Sequence, residues 1–97
     1  MRTLVTVTID NEAGNRAIRD GTMSKIMETF TREHKPEAVY FTAVDGKRTG
    51  LFVVDIASSS AIPAIAEPFF MQLGAHVDFK PVMNVEELRA GLQKLGR

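Results

Sequence analysis

No cysteine occurs among the 97 residues. Disulfides, thiolate catalysis and cysteine-based zinc sites are therefore excluded. A small secreted domain more often carries disulfides, so a cytoplasmic location is the expectation. Net charge is lacking too, because 12 basic side chains balance 12 acidic ones. That balance argues against a broad field for nucleic acid or for an anionic membrane. Apolar runs are short: the opening MRTLVTVTID alternates, and it offers neither a signal peptide nor a membrane helix. Linkers, repeats and low-complexity segments are missing. So are a P-loop, a dinucleotide fingerprint and any Ser-His-Asp spacing. A chain of this length suits one domain over 1–97. So small a domain is marginally stable alone and gains by pairing with a copy of itself.

The residues that are present are patterned. Arg2 to Ile9 alternates Val5, Val7 and Ile9 with Leu4, Thr6 and Thr8, a half-buried strand. Asp10 and Asn11 offer caps for a helix after it. From about Asn15 to Lys35 the period turns helical, with Met23, Ile26, Met27 and Phe30 on one face. Gly21 sits inside that span at a cost of about 1 kcal/mol relative to Ala, which predicts an irregularity or a close approach there. Pro36 ends the helix. Ala38 to Val44 is a strand, Asp45-Gly46 a type I′ turn, and Leu51 to Ile56 the return strand. Ser58 to Ser60 offer helix caps, and Pro63 fits a first turn. Ile62, Ile65, Ala66, Phe69 and Leu73 form the next helical stripe, with Gly74 closing it. Pro68 inside that stripe predicts a kink or a fresh start. Gly74 to Met83 alternates as a last strand. Asn84 and Glu87 then have the spacing of a capping box, with Leu88, Leu92 and Leu95 on one side of a short helix beyond it.

The order β-α-β-β-α-β-α is that of the α+β ferredoxin-like fold. Right-handed crossovers place the strands in the order 4-1-3-2, with both long helices on one face of an antiparallel sheet. At this point the chain resembles the dimeric α+β barrel superfamily. The resemblance is carried by the return strand TGLFVVDI and the segment VDFKPVMNVEEL. It covers nearly the whole chain and points to a small family within that superfamily. Relatives by fold include cofactor-independent monooxygenases, muconolactone isomerase-like enzymes and stress-response proteins. The resemblance implies a homodimer whose two sheets meet face to face. It implies no reaction.

A two-residue turn at Asp45-Gly46 sets Val44 opposite Lys47 and Tyr40 opposite Leu51. One sheet face then collects Val5, Val7, Ile9, Val39, Phe41, Phe52, Val54, Ile56, Val77 and Phe79, the expected core. The other collects Leu4, Thr6, Thr8, Tyr40, Thr42, Thr49, Leu51, Val53, Asp55, His76, Asp78 and Lys80. This second face is neither apolar nor uniformly charged, which fits a sheet that meets another sheet and leaves a polar-lined cleft. Phe70 and Met71 point away from the sheet-facing stripe of their helix, toward a partner, a ligand or the edge of the core.

Thr6, Tyr40, Asp55, Phe70 and His76 are therefore the candidate ligand-binding residues, and the expected ligand is a small, partly apolar molecule. His76 and Asp78 are two apart on a strand and share a face, so they can act as a base held in one tautomer. Together they are only half a metal site. A metal needs three or four ligands, only Asp55 or Asp10 could join, and His34 lies at a far helix end. Neither a metal nor a cofactor is expected. Lys80 serves to neutralise Asp78 or Asp55. The simpler reading of the His76-Asp78-Lys80 row is an edge strand protected from pairing by charge. His34 favours a helix dipole, and Tyr40 is a half-buried interface residue or a proton donor. Two function classes stay open. One is a homodimeric small-molecule-binding or interaction module. The other is a cofactor-independent, monooxygenase- or isomerase-like enzyme using His76 with Asp78 or Tyr40 as candidate catalytic residues.

Overall fold

The computed structural model describes residues 1–96. Strand β1 (Arg2–Ile9) leads into α1 (Asn11–Asp20) and α2 (Thr22–His34). Strands β2 (Ala38–Val44) and β3 (Lys47–Asp55) form a hairpin. A single 3-10 turn (Ser59–Ala61) precedes α3 (Ile62–Leu73), and β4 (His76–Pro81) and α4 (Val85–Gln93) complete the chain. The four strands make one antiparallel sheet in the order β2-β3-β1-β4, with β1 and β3 central. Counting from the β4 edge reverses that order and leaves every neighbour the same. The arrangement is α+β and is compatible with a ferredoxin-like domain.

The hairpin has the register that its turn demands. Val44 pairs with Lys47 and Tyr40 with Leu51. Asp45 and Gly46 take φ of 52° and 76°. A two-residue I′ turn needs positive φ at both positions, and its twist matches that of the flanking strands.

Helices α1, α2 and α3 cover one face of the sheet. Val5, Val7, Phe52 and Val54 from the strands interlock there with Ala17, Ile26, Phe30, Ile65, Phe69 and Leu73. The rings of Phe30, Phe52 and Phe69 meet pairwise at 4.7 to 6.0 Å between centroids, the tilted packing that aromatic quadrupoles favour.

Several local expectations are corrected. The single helix from Asn15 is two helices beginning at Asn11, broken at Gly21. Gly21 takes φ 82°, and nothing would touch a side chain there, so backbone conformation rather than a close approach makes the break. Asp10 stands at the N-cap of α1 without capping it, because its carboxylate bonds Lys47 at 3.0 Å. Ser58 likewise makes no cap bond; its hydroxyl meets that of Ser60 at 2.6 Å, and Ala61 stands at the N-cap of α3. Pro68 starts no new helix. It lies within α3, where its missing N–H deprives the Ala64 carbonyl, on the water-facing side, and burial of Ile65, Phe69 and Leu73 holds the helix together. Phe41, placed in the core by its strand parity, is 64% exposed. It shares the core face, but it stands on the edge strand β2, beyond the helices' cover.

Helix α4 has the capping box at full strength: Asn84 Oδ1 accepts from the Glu87 N–H at 2.8 Å, and Glu87 Oε1 accepts from the Asn84 N–H at 2.9 Å. It nevertheless buries none of its residues. Leu88 and Leu92 are exposed, and so is Leu95, which its spacing assigns to the same helix but which lies beyond the end at Gln93. The radius of gyration is 15.4 Å, against about 12.5 Å for a compact chain of this length. The longest dimension reaches 54 Å.

Candidate functional site

The face of the sheet opposite α1, α2 and α3 is read in cross-strand rows. Pairing places Thr42, Thr49, Thr8 and His76 side by side. The next row is Tyr40, Leu51, Thr6 and Asp78, and the one after it is Ala38, Val53, Leu4 and Lys80. The centre of this face is therefore threonine and aliphatic, the β2 edge carries the aromatic Tyr40, and the β4 edge carries the charges. Leu4, Thr6, Leu51 and Val53 are half-buried in the single chain, while Tyr40 is 69% exposed. Thr49 is buried despite its place in this set, flanked by Thr8 and Thr42 with its hydroxyl turned back onto the Lys47 carbonyl.

The structure brings some of the candidate residues together and separates others. Thr6 and Asp78 are direct cross-strand partners, and His76 lies one row away beside Thr8. Tyr40 occupies the same row as Asp78 but on the opposite edge, three strand spacings or roughly 14 Å distant. Asp55 lies at the far end of β3, opposite Arg2. Its carboxylate binds the chain's own N-terminal ammonium at 2.8 Å, and that charge holds it below the usual carboxylate range. Phe70 belongs to the helix layer and does not join this face. His34 ends α2 with its ring against Phe30, 4.9 Å between centroids. Among the described residues no three His, Asp or Glu side chains gather closely enough to hold a metal ion.

The ends of the open face are tied by charge. Arg2 bonds Glu37 at 2.6 Å and also reaches Glu87 of α4, which anchors the helix to the start of β1. At the other end Lys47 holds Asp10 and depresses its pKa, with a smaller contribution from His76. His76 is thus near a carboxylate, although no hydrogen bond joins it to Asp78.

A second opening lies on the helix-covered side. It is a cleft of about 250 Å³ between the β2-β3 hairpin and the α1-α2 junction, almost wholly apolar in lining. Phe41 and Phe52 form its aromatic wall, edge to face at 6.0 Å. Ile18, Met23 and Met27 roof it, and Arg48 stands at its rim. Helix and strand periodicity alone do not reveal this site, although the sequence holds one signal for it. Arg48 and Gly50 have the same strand parity as Phe52, so a charge and a gap fall where a core side chain belongs.

No helix among the described residues is long and apolar enough to cross a membrane. In comparison with known proteins, no protein-family model and no curated protein matches this chain.

Proposed function

We propose that the protein is a homodimeric small-molecule-binding module in which two open sheet faces meet, as in a dimeric α+β barrel. The carrying observation is the uncovered centre of that face. Leu4, Leu51 and Val53 sit on the two central strands, and α1, α2 and α3 all pack on the other side. An aliphatic strip with a polar surround is the composition of an interface core and its rim. Thr6 and Thr8, on the same central strand as Leu4, leave polar groups for a ligand held between the sheets. The exposed leucines of α4 fit the same reading, since a helix that buries none of its residues in its own chain can lie along the second copy.

The charged row on β4 supports binding over catalysis. His76, Asp78 and Lys80 lie on an edge strand, where charge discourages open-ended strand pairing. Within one chain, Tyr40 lies too far from His76 to share a proton with it. The open face offers no nucleophile, base and oxyanion donor set close together.

Native mass spectrometry of the protein as purified tests this function. The expected result is a mass of two chains plus a retained small molecule. Single chains with nothing bound would sink the reading.

A further inference from the structure

We propose that the helix-side cleft binds a small monocarboxylate with an apolar, ring-containing body, anchored by Arg48. This does not rest on the dimer reading, because the cleft lies on the opposite side of the sheet.

Arg48 is the one charged residue among the strand positions of the helix-covered face. Its cross-strand neighbours there are Ile9 and Ala43. It is half-buried, and Asn15 Oδ1, at 2.9 Å, is its one protein acceptor among the described residues. A guanidinium has five N–H donors in a fork that matches a carboxylate. Its other N–H groups are not sealed from water, so at the cleft rim they can turn to an anion held in the cleft. Gly14 on α1 makes room for the side chain: a methyl group there would stand 2.8 Å from Arg48 Nη1.

The adjoining space selects the rest of the ligand. Gly50 leaves a notch in β3 over which the Phe52 ring lies; a methyl group at Gly50 would meet that ring at 2.8 Å. Phe41 stands edge-on beside it. The exposed Phe41 ring, backed by Phe52, and the thioethers of Met23 and Met27 suit a flat apolar body better than a polar one. The break at Gly21 turns the chain between Ile18 and Met23, so the roof comes from two separately directed helices. The volume of about 250 Å³ limits the ligand to a small one.

The test follows the methionine methyl signals of the full chain by NMR while phenylacetate, its neutral amide or hexanoate is added. Phenylacetate should shift Met23 and Met27 saturably and bind about tenfold or more tightly than the amide, as expected for a charge-assisted contact. Arg48→Met should erase that preference. Asn15→Asp, at a half-buried position on α1, gives Arg48 an internal carboxylate and should weaken phenylacetate while leaving the amide unchanged. This second variant keeps the test intact if Arg48→Met fails to fold. Equal binding of acid and amide, hexanoate binding as tightly as phenylacetate, an unaltered preference in both variants, or no saturable shift with phenylacetate would each overturn the proposal.

Discussion

Leu51 and Phe52 are consecutive residues of one strand, and they report on two different surfaces. Phe52 is 1% exposed, wedged between Phe30 and Phe69. Leu51, pointing the other way, rests between Tyr40 and Thr6, with α1, α2 and α3 all on the far side of the sheet. The strand alternation is equally strict on both faces. The difference lies in the supply of covering elements: three helices pack on one side and none of the three on the other. A sheet with one face finished and one face half-apolar is the pattern from which a second layer is proposed.

The largest expected effect breaks the finished side. Phe52→Ala should cost about 3–5 kcal/mol, because it removes a ring buried among aromatics and leaves a cavity. Leu51→Ala, measured at a concentration where the chain is monomeric, should cost about 1 kcal/mol, a few half-buried methylenes at about 0.8 kcal/mol each when fully buried. Denaturant titration of both variants checks the pair. Equal losses would mean that the open face is as well packed within one chain as the core, which would undo the comparison.

A smaller effect concerns the charged rim. Asp10 and Asp55 are both held below the ordinary carboxylate value, chiefly by hydrogen bonds and charge from Lys47 and from the N-terminal ammonium respectively. A depressed folded-state pKa contributes stability above the unfolded value of 3.8, and that contribution is lost as pH falls through the lower folded value. The thermal midpoint should therefore decline on acidification below the ordinary carboxylate range, and less so in an Asp10→Asn, Asp55→Asn double variant. Both pairs are exposed, so the difference is small. An identical acid response in the two proteins would show that neither pair contributes.

Local chemistry was the most legible part of the sequence. Asp45-Gly46 fixes its own turn and with it the hairpin register, and Asn84 with Glu87 forms its own cap. Neither depends on distant packing. Gly21 announces an irregularity, but whether a glycine bends a helix or ends it depends on how the two halves dock on the sheet. Pro68 shows the reverse case, a local helix breaker overruled by the burial of Ile65, Phe69 and Leu73. Strand parity placed Phe41 correctly by face, while its exposure depends on how far the helices reach across β2. The candidate site was legible as a face: Thr6, His76 and Asp78 are neighbours. It was not legible as a constellation, because the separation of Tyr40 from His76 comes from strand order rather than spacing. Asp55 depends on tertiary placement in the same way, held by the N-terminal ammonium, whereas the helical stripe through Phe69 already sets Phe70 on a helix and away from the sheet.

The central claim is that the open face is completed by a second copy of the chain. Sedimentation equilibrium at micromolar concentration tests it most directly, comparing the native protein with Leu51→Arg. The substitution sets a charge in the middle of the aliphatic strip, where two copies would bring like charges together out of water. The account predicts a dimer for the native chain and a folded monomer for Leu51→Arg, with unchanged helix content by circular dichroism. A monomeric native chain, or a variant that remains as fully dimeric as the native protein, would contradict it.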